Sequence, residues 1–259
     1  MKKRMFCFPK SQSRCLLYQS KTTFESRLFS DLILQVSPKN SPFFRFRNSY
    51  SGYLISFLFK EEIQVPDIDA EYIGLKKDTK IVLFEMKGDQ PVKVWRLSTD
   101  GNWVAEPFLG FQIISEYSIK ELERKKTLIK KAFEAQKERN RKSGKNHGDF
   151  THFNVLYKKK NSEIVFIDEL NTQNSPLFDF FYFYSYFKQS IDRRKSLSET
   201  TKRKMLAILE NIINEVCIYD NEAEFRKDYE SLFIPEISGI LEKNKSKYVS
   251  EFSNIFVFD

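Results

Sequence analysis

Histidine, cysteine and glycine are scarce in this chain, and each shortage excludes a class of site. The 259 residues include two histidines, three cysteines and eight glycines. Cys7, Cys15 and Cys217 are too few and too widely spaced for a disulfide framework or a zinc cluster, so we expect free thiols in a reducing compartment. The sequence contains no Gly-x-Gly-x-x-Gly phosphate loop and no Gly-x-Ser-x-Gly nucleophile elbow.

Long apolar runs are also absent. No segment approaches the roughly eighteen apolar residues of a membrane span, and the run at residues 5–8 is too short for the core of a signal peptide. The most apolar segment, residues 178–187, is interrupted by Asp179 and Ser185 and is predicted to be a buried helix. We therefore expect a cytoplasmic protein without a membrane span.

The composition is that of a folded protein with a basic balance. Hydrophobic residues make up 41% of the chain and aromatic residues 15%, which argues against disorder although 30% of the residues are charged. The formal net charge is +8, and residues 120–145 alone carry eleven Lys/Arg against four Glu. Two interpretations of that stretch stay open. It is either a solvated helix face or a surface for an anionic ligand, such as a phosphorylated sugar, an acidic glycan or a nucleic acid.

Residues 1–112 are predicted to contain a β-rich region. Residues 70–76, 80–87 and 91–97 are candidate strands separated by turn chemistry, and a fourth strand is predicted at residues 103–105. These strands form an antiparallel meander. Ahead of them, residues 24–36 have helical spacing, residues 37–51 are a predicted loop, and residues 53–60 fit either a strand or a helix.

Residues 113–259 are predicted to be mostly helical. Ser118 is a predicted N-cap, with Glu121 at the capping-box position. Ser198 starts a second predicted helix, whose apolar residues repeat every three or four positions as far as Val216. Further helical segments are expected at residues 223–233 and 237–252. A β-rich half followed by a helical half predicts an α+β protein of two lobes, with a site in the cleft between them.

The candidate site lies in the segment that contains both histidines, His147-Gly148-Asp149-Phe150-Thr151-His152-Phe153-Asn154. Two strand-forming runs separated by a polar turn follow, which predicts a β-hairpin that ends at Asp168. Because a hairpin folds its ends together, Asn154 and Asp168 should lie close in space, beside the carboxylate of Asp149. Two oxygen donors suit Mg²⁺, which completes its shell with water and substrate phosphates. The neighbouring carboxylate would orient a substrate hydroxyl and accept its proton, as in kinase-type phosphoryl transfer.

This segment resembles the catalytic motifs of the aminoglycoside phosphotransferase and choline kinase family, within the protein-kinase-like superfamily. The pattern His-Gly-Asp-x-x-x-x-Asn, a hairpin and Ile-Asp is shared, and the HGDFTPWN form of sugar- and polysaccharide-related members is similar. The resemblance implies that Asp149 is the catalytic base and that Asn154 and Asp168 bind Mg²⁺ and, through it, ATP. It also implies that His147 belongs to the catalytic loop, whose backbone it holds by hydrogen bonds, and that Asp179 braces this loop.

The resemblance covers residues 115–190, and the sequence departs from the family in two places. His152 and Phe153 stand where the HGDFTPWN form has Pro and Trp, so contact with phosphate or substrate and a structural role are both open for His152. Glu169-Leu170 follow Asp168, where the family often has an aromatic residue and then Glu.

Lys93, within the predicted strand 91–97, is the candidate lysine for the nucleotide phosphates, and Glu106 is its candidate acidic partner. The alternative is that Lys93 only faces solvent. The resemblance implies a protein-kinase-like fold with a small N-lobe. The N-lobe is abbreviated, or its strands have other roles, because little chain separates Lys93 from the helix that begins after Ser118.

The sequence therefore predicts an ATP- and Mg²⁺-dependent phosphotransferase. Its acceptor would be a hydroxyl of a small molecule, or of a sugar or glycan intermediate in polysaccharide biosynthesis, and this acceptor could be anionic. One alternative is a kinase-like fold that has lost phosphoryl transfer and works as a binding or regulatory module. Another is a metal hydrolase that uses His147, Asp149 and His152, although the chain has no third histidine. The basic balance argues against a polycationic aminoglycoside as acceptor.

Overall fold

The computed structural model describes residues 2–8, 14–20, 60–66, 69–77, 80–98, 100–115, 117–172, 175–216, 218–240 and 248–258. The chain divides into two compact units, Met1–Phe108 and Leu109–Asp259. The predicted α+β class is confirmed, since the described residues of the first unit form antiparallel strands and the described helices belong to the second. The predicted helix at residues 24–36, the loop at 37–51 and the segment 53–59 lie outside the described residues.

Seven strands form one curled antiparallel sheet in the first unit. They are β1 Lys2–Phe8, β2 Arg14–Tyr18, β3 Lys60–Gln64, β4 Glu71–Lys77, β5 Lys80–Lys87, β6 Gln90–Leu97 and β7 Trp103–Pro107. Their order in the sheet is β3-β1-β2-β4-β5-β6-β7. The predicted meander is confirmed as β4 to β7. Strands β1, β2 and β3 were not predicted. Each begins with one or more charged residues, and β2 then continues with consecutive apolar residues, so none shows the alternation that identifies a half-buried strand.

Gly74 lies at a close approach in the centre of this sheet. The register pairs it with Leu17 on β2 and with Leu83 on β5. A Cβ atom at this position would lie 2.7 Å from Leu83 Cδ2 and 3.0 Å from Leu17 Cβ. Both leucines are fully buried and belong to the core of the first unit, together with Met5 and Tyr72. The glycine therefore lets the side chains of the flanking strands meet above β4.

The second unit consists of six α-helices and a small sheet among its described residues. The helices are α1 Ile119–Ser143, α2 Leu177–Asp192, α3 Glu199–Glu215, α4 Glu222–Asp228, α5 Ile234–Ile240 and α6 Val249–Ser253, with a π-helical turn, Tyr229–Phe233, between α4 and α5. The sheet has the order β10-β9-β8, with β8 Phe111–Gln112, β9 Val155–Lys158 and β10 Glu163–Phe166. The boundary between the units falls after Phe108 rather than after residue 112, because β8 pairs with the hairpin strand β9.

Ser118 caps α1 as predicted, since its Oγ accepts a hydrogen bond from the Glu121 amide at 3.1 Å. The second half of a capping box does not form. The Glu121 carboxylate instead accepts hydrogen bonds from the amide and the hydroxyl of Ser115, at 3.0 and 2.9 Å, and pairs with Lys125 Nζ at 2.9 Å. Glu121 and Lys125 are both buried, and a buried charge is tolerated where it is paired and hydrogen-bonded. This pair therefore ties α1 to the segment that precedes it.

An aromatic cluster fills the core of the second unit. The ring of Phe133 on α1 lies 4.8 Å from Phe180 and 4.9 Å from Phe183 on α2, and 5.5 Å from Phe150 in the His-Gly-Asp segment, between ring centroids. All four rings are almost completely buried. The buried helix predicted at residues 178–187 is thus confirmed as part of α2. None of the helices in the described part of the chain has the length and apolarity that a membrane crossing requires.

We expect Phe133→Ala to lower the free energy of unfolding by about 3–5 kcal/mol, because it empties the centre of this cluster. Urea denaturation followed by circular dichroism measures the loss. Thr127→Ala, at an exposed position of the same helix, is the control and should change stability by less than about 0.5 kcal/mol. Equal effects of the two substitutions would contradict the central place of Phe133.

Candidate active site

The predicted hairpin is confirmed, and it brings the two ends of the candidate site together. The register pairs Val155 with Phe166, and the Ile167 amide then donates a hydrogen bond to the Asn154 carbonyl at 3.1 Å. Asp168 follows directly. The strand-forming alternation on either side of a polar turn therefore places the backbone of Asp168 next to that of Asn154.

Asp149 and Asn154 are joined by a tight turn. The Asp149 carbonyl accepts a hydrogen bond from the Thr151 amide at 2.9 Å, and the Thr151 carbonyl accepts one from the Asn154 amide at 3.0 Å. Asn154 Nδ2 donates to the carbonyl of Asp149 at 3.0 Å and to its Oδ2 at 2.8 Å. With both donor contacts directed at Asp149, the Asn154 side chain has Oδ1 as its acceptor atom for a ligand.

The buried carboxylate of Asp179, near the start of α2, holds the beginning of the loop. Its Oδ2 accepts hydrogen bonds from the His147 amide at 2.7 Å and from Gln136 Nε2 at 2.6 Å, and its Oδ1 accepts one from the Gly148 amide at 2.9 Å. Burial raises the pKa of Asp179 to about 6, while the two backbone donors act in the opposite direction by favouring the charged form. The carboxylate is therefore ionised at neutral pH and braces the loop, as the resemblance implies.

Position 148 requires a glycine, because of both its backbone conformation and the close contacts around it. Its φ is 83°, in the left-handed region, and a Cβ atom would lie 2.9 Å from Thr172 Cγ2 and 3.0 Å from Leu170 Cβ. The segment after Asp168 packs back on the loop here, since the Leu170 amide donates to the His147 carbonyl at 2.8 Å. The His-Gly-Asp loop and the chain that follows the hairpin are thus in direct contact.

Asp168 is exposed and adopts a left-handed backbone conformation, with φ of 56°. Aspartate is one of the few residue types besides glycine that enter this region, because its short polar side chain bonds locally. Backbone conformations of this kind occur preferentially at functional sites. The chain thus changes direction at Asp168, directly after the last backbone hydrogen bond to Asn154.

The two histidines occupy separate surroundings. The ring of His147 packs on Phe150 and Phe166, and its Nδ1 accepts a hydrogen bond from the Asp149 amide at 3.3 Å, so it holds the loop backbone. Burial lowers the pKa of His147. His152 is fully buried, and its Nε2 is hydrogen-bonded to the Tyr117 hydroxyl. Within the ranges that the structure describes, no three or more His, Cys, Asp or Glu side chains form a group that could hold a metal ion.

Lys93 and Glu106, both in the first unit, do not pair with each other. Lys93 Nζ lies 3.8 Å from Glu85 Oε2, and Glu106 Oε2 lies 3.3 Å from Arg96 Nη1. The register between β6 and β7 explains why the predicted pair of Lys93 and Glu106 does not form. Glu106 is directly opposite Val94, the neighbour of Lys93 on β6, so Lys93 and Glu106 point to opposite faces of the sheet. The acidic partner of Lys93 in this structure is Glu85.

Sequence reasoning did not identify three polar residues that support the loop. They are Gln136, which donates to Asp179, Asn146, whose Nδ2 donates to the Ser175 carbonyl at 2.9 Å, and Arg139, which pairs with Glu169 at 2.6 Å. Gln136 could have been found, because it continues the buried spacing of Ile129, Ala132 and Phe133 along α1. A polar residue within an apolar helical stripe indicates a buried hydrogen bond.

The basic stretch 120–145 is extensively paired. At least six of its eleven cations form ion pairs with described residues, namely Lys125, Lys126, Lys130, Arg139, Arg141 and Lys142. Their carboxylate partners lie on α1 itself, on α3 and in the segment after Asp168. This pairing favours the interpretation of the stretch as a charged helix face over that of a surface for an anionic ligand.

No protein-family model, curated protein or solved structure matches this chain. What the site does must therefore be inferred from its own residues.

We expect His152 to reduce stability as the pH falls. Burial lowers the pKa of His152 from 6.5 to about 3, so between these values the unfolded chain binds a proton that the folded protein does not. The stability of the wild type relative to His152→Phe should fall by about 1.4 kcal/mol for each pH unit below about pH 6. Urea denaturation at several pH values measures this difference, and parallel curves for the two proteins would contradict it.

Asp179→Asn should lower the free energy of unfolding by at least about 2 kcal/mol, because an amide offers one acceptor oxygen and brings an N–H group towards a backbone donor. Thermal denaturation measures the loss against Asp220→Asn, a control at an exposed position. A stability equal to that of the control would show that the loop does not depend on this carboxylate.

Proposed function

We propose that this protein is an ATP- and Mg²⁺-dependent phosphotransferase that acts on a hydroxyl group of a small molecule or of a sugar or glycan intermediate. The observation that carries the proposal is the direct hydrogen bond between Asp149 and Asn154 at the start of a hairpin whose far end leads into Asp168. The carboxylate of Asp149, the amide of Asn154 and the carboxylate of Asp168 thus follow one another along the loop and hairpin in the order that kinase-type phosphoryl transfer uses.

Asn154 and Asp168 fit a magnesium ion by their donor chemistry. Asn154 offers Oδ1, since its Nδ2 is bonded to Asp149, and Asp168 offers an exposed carboxylate. Two protein oxygens are few, but Mg²⁺ in nucleotide sites retains several waters and takes phosphate oxygens as further ligands. When bound, the ion would neutralise charge on the nucleotide phosphates.

Asp149 is the residue to which we assign the acceptor hydroxyl. Its half-buried carboxylate is fixed through Oδ2 by Asn154, so its orientation is set before a substrate arrives. It would receive the hydroxyl proton while the hydroxyl oxygen bonds to the γ-phosphorus and the bond to ADP breaks. A carboxylate held in place in this way contributes mainly by positioning.

The rigidity of the loop supports the proposal. Asp179 binds the amides of His147 and Gly148, and Leu170 binds the carbonyl of His147, so the backbone ahead of Asp149 is held from two sides. A site built on a fixed backbone loses little free energy to reorganisation when substrate binds.

The finer fold assignment, a protein-kinase-like two-lobed fold, belongs to the same proposal, as does a cytoplasmic location with access to ATP. Lys93 is its candidate nucleotide lysine, with Glu85 as the acidic partner in place of Glu106. The ion pairs along α1 leave less unpaired positive charge there for an anionic acceptor or a nucleic acid, so we assign the acceptor by its hydroxyl alone.

Isothermal titration with Mg²⁺ and a non-transferable ATP analogue tests the proposal. We expect wild-type protein to bind the analogue only with Mg²⁺, and we expect Asp168→Asn to weaken that binding at least about tenfold. Asp149→Asn should keep the binding and lose transfer to an acceptor. Glu163→Gln, an exposed carboxylate on the same hairpin, is the matched control and should bind as the wild type does.

The outcomes separate the candidate functions. Wild-type protein that does not bind the analogue in the presence of Mg²⁺ contradicts the proposal. Binding that Asp168→Asn leaves unchanged would place the nucleotide elsewhere. Mg²⁺-dependent binding without transfer to any hydroxylated acceptor would favour the alternative of a binding or regulatory module.

A further inference from the structure

Tyr117 has an unusual backbone conformation immediately before α1. Its φ is 47°, in the left-handed region, where bulky side chains are genuine outliers. Such a conformation is strained and persists only where the surrounding contacts hold it. The helix cap does not explain it, because the capping residue Ser118 itself has an extended backbone with φ of −130° and ψ of 152°. The contacts of the Tyr117 side chain are therefore the candidates for what holds this backbone conformation.

The buried side chain of Tyr117 contacts Phe187, Arg194 and His152, and Ser190 is a further hydrogen-bond partner of its hydroxyl. The ring of Phe187 is stacked on it at 6.0 Å between centroids and 13° between planes, and the guanidinium carbon of Arg194 lies 3.9 Å from its centroid. The hydroxyl is hydrogen-bonded to Nε2 of His152. Tyr117 is only 4% exposed, so its hydroxyl depends on protein partners rather than on water.

His152 connects this contact to the candidate metal site. It lies in the middle of the turn that the hydrogen bond between the Asn154 amide and the Thr151 carbonyl closes, two positions before Asn154. The ring of His152 is enclosed by Tyr117, Phe183 and Phe187. The ring is fully buried, and its Nε2 is hydrogen-bonded to the Tyr117 hydroxyl. A displacement of this ring would displace the turn.

The two ends of the loop have different supports. Asp179 binds Gln136 and the amides of His147 and Gly148, which belong to the start of the loop. The turn that carries Asn154 is instead attached to α2 and to the segment before α1 through His152 and Tyr117. Without this second attachment, the candidate metal ligand would be held only by its hydrogen bonds to Asp149, Thr151 and Ile167.

We propose that Tyr117 is a positioning residue, which fixes the turn carrying Asn154 through its hydrogen bond to His152. The effect on the turn follows from the described contacts alone, whereas the effect on Mg²⁺ binding rests on the proposed function. This role also decides between the two alternatives for His152. A side chain that is fully enclosed and bonded to Tyr117 holds the loop and does not contact phosphate.

Hydrogen exchange of the loop amides, measured without metal or nucleotide, is the first test. Tyr117→Phe keeps the ring and removes only the hydroxyl, and we expect the Asn154 amide to exchange about five- to tenfold faster than in the wild type. Tyr184→Phe is the matched control, because Tyr184 is equally buried and its hydroxyl donates to Glu210 on α3 at 3.1 Å, away from the loop. It should leave the exchange of that amide within about twofold of the wild type.

A double-mutant cycle shows whether the hydrogen bond itself is responsible. His152→Phe retains an aromatic ring but removes the hydrogen-bond partner of Tyr117. It should therefore also accelerate exchange of the Asn154 amide, and adding Tyr117→Phe should then have little further effect. Full additivity of the two substitutions would overturn the proposal. So would equal exchange rates of the Asn154 amide in Tyr117→Phe and Tyr184→Phe.

Mg²⁺ titration in the presence of the non-transferable ATP analogue is the second test. We expect the apparent Kd for Mg²⁺ to rise about three- to tenfold in Tyr117→Phe and to stay unchanged in Tyr184→Phe, which a purely stabilising role would not produce. An unchanged Kd in both variants overturns the positioning of Asn154. If the wild type itself does not bind Mg²⁺ with the analogue, the proposed phosphotransferase fails, and the exchange data still decide whether Tyr117 holds the turn.

Discussion

The carboxylate of Asp179 is the group on which the geometry of the candidate site depends. A charge without water is tolerated only where hydrogen bonds replace its hydration, and here three N–H donors replace it. Two of them are consecutive backbone amides of the loop, so the loop cannot change conformation without leaving a buried charge unpaired. The left-handed conformation of Gly148 and the buried amide of Gln136 on α1 are consequences of this arrangement.

The same loop is part of the hydrophobic core. Phe150, directly after Asp149, packs against Phe133 on α1 and Phe183 on α2. Phe150 therefore contributes to the cluster that stabilises the second unit, while its neighbour Asp149 is the candidate catalytic base. Because interiors are close-packed, changes in that cluster are transmitted to the loop as displacements.

Local patterns predicted much of this structure. The alternation and turn chemistry of residues 70–105 predicted four strands, Ser118 and Ser198 marked two helix starts, and the polar turn between two apolar runs predicted the hairpin that joins Asn154 to Asp168. These predictions were correct because each feature depends on residues near one another in sequence. The phosphotransferase function stays a prediction.

The remainder depends on contacts between residues distant in sequence, which no local pattern records. Glu121 occupies the capping-box position, yet its carboxylate binds Ser115 and Lys125. Lys93 pairs with Glu85 because of strand register, which the sequence does not specify directly. For His152, the deciding partner is Tyr117, thirty-five positions away.

The left-handed backbone of Asp168 restricts which residues can replace it. Alanine at this position would remove the carboxylate and also introduce a side chain that is disfavoured at φ of 56°, so its effect would mix lost ligation with conformational strain. Asparagine enters the left-handed region at least as readily as aspartate does, and glycine enters it freely. At this position the chemical role of a side chain and the shape of the chain can be separated only by substitutions that respect the backbone.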